Sequence, residues 1–146
     1  MKRHISLTPL SREHHAGLLL AKLLQKGAPA YKGLPTDSIG KAAYAIQFYR
    51  DELIDHFKLE ENVLLPAIKG VNPILDAMSV TIVDEHSQIR LLFEMIHQAE
   101  NLENYLDVLG TSLELHIRKE EREFFPLIQD TCNEALLAEL TQLLFI

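Results

Sequence analysis

His56-Phe-Lys-Leu-Glu60-Glu61-Asn-Val-Leu-Leu-Pro66 and His116-Ile-Arg-Lys-Glu120-Glu121-Arg-Glu-Phe-Phe-Pro126 are two copies of one pattern. In each, a glutamate follows the histidine by four residues, a second glutamate comes next, and a proline stands ten residues after the histidine. Residues four apart on a helix lie one above the other, so each copy points an imidazole and a carboxylate the same way. Packing has no use for a polar pair repeated inside apolar segments. Two such pairs can grip metal ions between them.

Outward from the repeat, apolar residues keep a helical period on both sides. The first copy sits on a long helix with Ile39, Ala42, Ala45, Ile46, Tyr49, Leu53, Val63 and Leu64 on one stripe. Thr36, Asp37 or Ser38 caps it, and Pro66 kinks or loosens its end. The second copy continues a stripe of Leu102 or Leu106, Leu109, Leu113, Phe124, Leu127 and Ile128. Ahead of both, Thr8 and Pro9 open a helix over 9–26 carrying Leu10, His14, Leu18, Ala21 and Leu24, with Ser11, Arg12, Lys22 and Lys26 on another side. Asn72 and Pro73 open a third, with Ile82, Val83, His86, Ile89, Phe93 and Ile96, which ends between Gln98 and Asn104. A short helix from Asn133 carries Leu136, Leu137, Leu140, Leu143 and Leu144. No alternating strand pattern competes. The fold expected is all-α, an up-down-up-down four-helix bundle with a short extra C-terminal helix, forming one domain over 1–146.

Composition narrows the function. The chain has 146 residues, 47% of them hydrophobic, enough for one domain with its own core. A net charge of −7, without a Lys/Arg cluster, argues against nucleic acid. No apolar run approaches the ~18 residues of a membrane span. Cys132 is the single cysteine, and Met1-Lys-Arg-His4 opens the chain without a signal-peptide run. A cytoplasmic location is expected. Seven histidines are the compositional excess to follow.

Each of the four long helices offers one of them on its apolar stripe: His14, His56, His86 and His116. Glu60 and Glu120 join the same stripe. A carboxylate buried alone is costly, and a cation is its simplest rescue. Imidazole suits Zn, Cu, Fe and Ni, and carboxylates that bridge point to a pair of ions, with two histidines on each. His15, with polar helical neighbours, is placed at the rim, and His14 is preferred over it as the ligand. Glu61 and Glu121 fall one residue beyond the stripe and are assigned to solvation or to hydrogen bonding of ligands. Glu13 and Glu85 read first as exposed acids and second as groups that orient a neighbouring ring. His97 lies too far along its helix from His86 to share its ion, and His4 has no ligating context. Tyr49 and Phe93 read as core aromatics that also line a pocket beside the ions.

These residues resemble the hemerythrin-like family with its His-His-Glu cation-binding motif. The likeness runs from about Leu10 to Pro126, through Arg12-Glu-His-His-Ala-Gly-Leu18, His56 to Glu61, Asp84-Glu-His-Ser-Gln-Ile89 and His116 to Glu121. It implies a non-haem centre of two iron ions, with zinc or manganese compatible with the same donors. The implied ligands are His14 (or His15), His56, Glu60, His86, His116 and Glu120. Two departures stand out. The oxygen carriers have a further histidine one turn after that of the third helix, where this chain has Arg90. Their acidic residue on the fourth helix also comes five residues after its histidine rather than four. The expectation is a protein that binds or senses oxygen, nitric oxide or peroxide at an open iron position. A di-iron peroxidase, oxidase or nitric-oxide reductase, or an iron-handling protein, is the alternative. The leucine-rich terminal helix reads first as packing on its own bundle and second as a surface for a homo-oligomer; the other expected partner is a small diatomic ligand or peroxide.

Overall fold

The computed structural model describes residues 2–145, which are helical apart from the connections, the longest of them over 25–37, and, among the described residues, contain no strand. The five helices are α1 (Thr8–Leu24), α2 (38–68), α3 (Pro73–Glu94), α4 (102–131) and α5 (Glu134–Leu144). Four of the starts are built from side-chain caps. Asp37 accepts from the Gly40 N–H, Asn72 from Ile74 and Leu75, Asn101 from Asn104, and Asn133 from Leu136. Each satisfies backbone donors that an α-helix leaves unpaired in its first turn. The first start differs from the sequence expectation. Leu7 occupies the cap position without a side-chain bond, and the Thr8 hydroxyl donates instead to the Ile5 carbonyl, ending a short 3-10 turn over Ile5–Leu7.

α2 and α4 are not uniform. The turns Glu60–Leu64 and Glu120–Phe124 are π-helical, with the Leu65 N–H bonded to the Glu60 carbonyl and the Phe125 N–H to that of Glu120. Pro66 and Pro126 follow directly. A proline in a regular helix lacks its own donor and clashes with the carbonyl four residues back, so the chain widens by one residue instead. The loosening expected at Pro66 therefore takes the form of a wide turn that begins at the glutamate itself, and Pro126 repeats it. A third π-turn covers Tyr49–Leu53.

The core falls into two apolar clusters. One gathers Leu20, Leu24, Tyr49, Leu53, Phe57, Ile89, Phe93, Leu106, Leu113 and Ile117. The other gathers Leu7, Leu10, Leu64, Ile68, Leu75, Ile82, Phe124, Phe125 and Ile128, closed by Leu137, Leu140 and Leu144 of α5. The terminal helix thus packs on its own chain, while Leu143 and Phe145 stay exposed. Along every long helix the stripe histidine falls between residues of the two clusters. Among the described residues, no helix is long and apolar enough to cross a membrane.

α1 and α4 approach each other closely, and two glycines permit it. A Cβ at Gly110 would stand 2.6 Å from the Ala21 carbonyl oxygen, and one at Gly17 would stand 2.8 Å from Ile117 Cδ1. The same pair of helices is pinned at Glu114, which lies 2.7 Å from Gln25 Nε2, 2.7 Å from Arg118 Nε and 3.0 Å from Lys22 Nζ. These donors, Gln25 first, hold its carboxyl at about 2, below the usual value of 4.5. A depressed folded-state value contributes stability that is complete above the unfolded value and lost as pH falls toward about 2. Glu114→Gln is expected to cost about 1–2 kcal/mol at neutral pH after allowance for solvent screening. That cost should fade as the acid limb is descended. Urea unfolding at neutral pH and near pH 2 measures it, and an equal cost at both would assign the effect to shape rather than charge.

Candidate metal centre

His14, His56, His86 and His116 are all buried, together with Glu60 and Glu120, which are completely inaccessible. One histidine comes from each long helix, and each glutamate begins a π-turn. His15 is exposed, so the helix-one choice falls on His14 by position. The reason is visible in Ser11. The sequence assigns this residue to the polar side of α1, yet its hydroxyl is buried against Glu121, and His14 on the same face turns inward. His97 is exposed as well, and His4 caps the 3-10 turn by accepting from the Ser6 N–H.

The four imidazoles share one arrangement. His14 Nδ1 is 2.8 Å from Glu121, His56 Nδ1 2.5 Å from Glu13, His86 Nδ1 2.6 Å from Glu61, and His116 Nδ1 2.8 Å from Glu85. An ionised carboxylate only accepts, so each Nδ1 carries the donated proton and each Nε2 is left for the centre. The carboxylates come from the neighbouring helix in cyclic order: α1 supports α2, α2 supports α3, α3 supports α4, and α4 supports α1. Glu61 and Glu121 fall under the hydrogen-bonding role the sequence allows them. Glu13 and Glu85 take the second of their two readings, since each orients a ring rather than standing free. Aromatic rings complete the support. Phe57 stacks on His86 with centroids 4.0 Å apart, and Phe125 stacks on His14 at 5.5 Å. Neither phenylalanine stands out in the sequence, where both look like ordinary core residues.

Inside this frame the donor atoms converge. His14 Nε2 lies 2.9 Å from Glu120 Oε1, His86 Nε2 3.0 Å from Glu60 Oε1, His116 Nε2 3.2 Å from Glu120 Oε2 and His56 Nε2 3.6 Å from Glu60 Oε2. His14 and His56 face each other through their Nε2 atoms at 3.2 Å. Both carboxylates, with His86 Nε2 and His116 Nε2, are buried without a partner in hydrogen-bond geometry. Orphaned buried oxygens and nitrogens are expensive in a protein interior. Clustered lone pairs aimed at one space fit a cation. The atoms form two groups, His14/His56/Glu60/Glu120 and Glu60/His86/His116/Glu120, each with ligand atoms within 4.8 Å of one another. Both groups contain both glutamates.

Charge balance without a cation falls on the histidines. Burial opposes each imidazolium, but Glu120 and Glu60 outweigh it, raising His14, His56 and His86 above 6.5 and pushing His116 up to about 10. Burial likewise opposes the Glu120 carboxylate, and His116, His14 and His86 hold it well below its usual range. A bound cation takes over this role and releases protons.

A small cavity of about 50 Å³ reaches the centre between α1, α2 and α4. His14, His56 and His116 form one wall, Gly17, Phe48, Leu53 and Phe57 others, with Glu13 and Glu52 also facing it. Tyr49 and Phe93 are not part of it. They stack on each other at 4.7 Å inside the apolar core, which corrects the pocket-lining role expected of them. Arg90 also stays outside the donor groups, bonded to Glu61 at 2.9 Å.

Neither the curated proteins nor the solved structures contain a match to this chain. Residues 6–128, most of the chain and all six converging donors among them, match the family described as hemerythrin HHE cation binding domain, and the protein belongs to that family.

Proposed function

We propose that the chain holds two iron ions between its helices and uses them to bind or sense a small ligand: oxygen, nitric oxide or peroxide. The observation that carries this reading is the sharing of Glu60 and Glu120 by both donor groups. Two carboxylates common to two pairs of imidazoles favour a bridged pair of ions over a single one. Nitrogen and carboxylate donors in this proportion suit non-haem iron and accept zinc or manganese as well. When bound, iron supplies an open position at which a small molecule can be polarised or can exchange electrons.

Cavity size separates the function classes. Pockets for organic ligands run to about 300–1,000 Å³, whereas this one has about 50 Å³. It accommodates a diatomic molecule, peroxide or one or two waters. Phe57 and Leu53 keep the inner wall apolar, and the Glu–His pairs fix the Nε2 atoms without help from solvent.

The enzymatic alternative, a peroxidase, oxidase or nitric-oxide reductase, draws on one specific observation. Glu13 is half-exposed, lines the cavity and touches His56 Nδ1, so a carboxylate joins solvent to the centre. Such chemistry consumes protons. An iron-handling role needs no further group.

The cross-links Gln25–Glu114, Glu61–His86 and Tyr105–Leu92 support an up-down-up-down order of the four long helices within one domain. A reducing cytoplasm suits the buried free thiol of Cys132. Leu143 and Phe145, exposed at the end of α5, are the surface on which a second copy would pack.

Metal analysis of anaerobically purified protein, followed by visible spectra on adding oxygen, nitric oxide or peroxide, tests the reading. About two irons per chain and a ligand-dependent spectrum are expected. Less than one iron per chain with no spectral response would sink it.

A further inference from the structure

The four outer carboxylates do the same thing for their histidines but differ in what surrounds them. On the His86 and His116 side both are tied to a cation. Arg90 Nη1 reaches Glu61 at 2.9 Å, and Lys119 Nζ pairs with Glu85. Arg90 also covers the Phe57 ring, with Cζ 5.3 Å from its centroid, and that ring is the one stacked on His86. The His14 and His56 side is balanced differently. Glu121 takes the Ser11 hydroxyl, 2.8 and 3.0 Å from its two oxygens, and pairs with Arg3 at 3.6 Å. Arg3 covers the Phe125 ring stacked on His14 much as Arg90 covers Phe57, so the difference between the two sides lies at Glu13. Glu13 pairs with no lysine or arginine among the described residues, and Glu52 faces the same cavity. Around His86 and His116 the outer charges cancel. Around His14 and His56 they leave an excess of negative charge.

We propose that Arg90 and Lys119 set the two metal positions apart: by neutralising Glu61 and Glu85 they weaken His86 and His116 as donors, so the first cation goes to the position of His14 and His56. This rests on the reading that two ions share Glu60 and Glu120. A carboxylate on Nδ1–H raises the donor strength of the opposite ring nitrogen. A cation bonded to that carboxylate draws its charge away, and its own positive charge also opposes a nearby dication. Both effects act in one direction. Exposed ion pairs are weak, but here the carboxylates touch buried rings. Arg90 and Lys119 are tuning residues and touch no donor atom of the centre.

The order of filling is read directly by titrating metal-free, ¹⁵N-labelled full-length protein with Zn²⁺, which is redox-silent, and following the histidine ring nitrogens. With one equivalent, His14 and His56 are expected to shift to their bound positions while His86 and His116 stay in place; a second equivalent moves all four. In the double variant Arg90→Gln, Lys119→Gln the first equivalent should divide between the pairs, and the second step should tighten about tenfold, the lower end of outer-partner effects. Both side chains are partly exposed, at 27% and 34%, so the variant is expected to keep its fold, checked by circular dichroism. A wild-type first equivalent that enters at His86 and His116, or divides evenly, overturns the proposal. So does a double variant that fills in the wild-type order. Saturation at one Zn²⁺ per chain removes the two-ion reading itself and this inference with it.

Discussion

On the proposal that two ions share Glu60 and Glu120, replacing Glu120 by alanine is expected to empty both positions, not one. The residue belongs to both donor groups, with one oxygen 2.9 Å from His14 Nε2 and the other 3.2 Å from His116 Nε2. Loss of an outer hydrogen-bond partner typically costs 10–100-fold in metal affinity. A shared direct donor should exceed that at each position. Metal content after gel filtration is predicted to fall from about two ions per chain to well under one. His56→Ala removes a donor from one group only and should leave the other position occupied. His15→Ala, at an exposed residue, should change nothing. Retention of two ions by the Glu120→Ala protein would rule out a bridging role for this carboxylate.

The second large effect is on stability. A ligand present at a thousandfold excess over its dissociation constant stabilises the folded state by about 4 kcal/mol. For a domain of this size each kcal/mol moves the melting temperature by about 2–4 °C, so stripping the ions with a chelator should lower it by roughly 10 °C or more. The size of the drop should depend on pH. In the metal-free protein the imidazoles have raised folded-state values, so their contribution is complete below 6.5 and is lost as pH rises through those values, at about 10 for His116. The metal-free form therefore weakens from about pH 6.5 upward, while the loaded form gains because its ligands no longer compete with protons. Thermal unfolding of both forms across that range checks the prediction. A gap that narrows toward alkaline pH would contradict the charge balance described for the centre.

How far the sequence carried this picture follows from what periodicity can encode. Spacing along one helix is a local property, and it placed His56 with Glu60 and His116 with Glu120 without a neighbour being known. The inward position of His86 is equally local. The roles of Glu13 and Glu85 are not, because each supports a histidine on the next helix, and no pattern within one element says which helix that is. Ser11 departs from its expected polar placement for a related reason: a small hydroxyl counts as polar in a periodicity argument, yet with Glu121 opposite it becomes a buried one. The π-turns left only their prolines as a trace. The break before α4 carries neither glycine nor proline and rests on the Asn101 cap. Arg90 was visible as a departure from the oxygen carriers, but its hold on Glu61 and Phe57 required the packed helices.

The split of the core has a consequence for cooperativity. Leu20, Phe93 and Leu113 belong to one half, Leu10, Ile82 and Phe124 to the other, and a layer of ionisable groups lies between them on every long helix. Each half has its own apolar contacts, but the layer joining them is held by charge. Without cations the bundle has a natural seam, and the halves can open as separate exchange units. With cations in place the same layer becomes the cross-tie through which all four helices must open together.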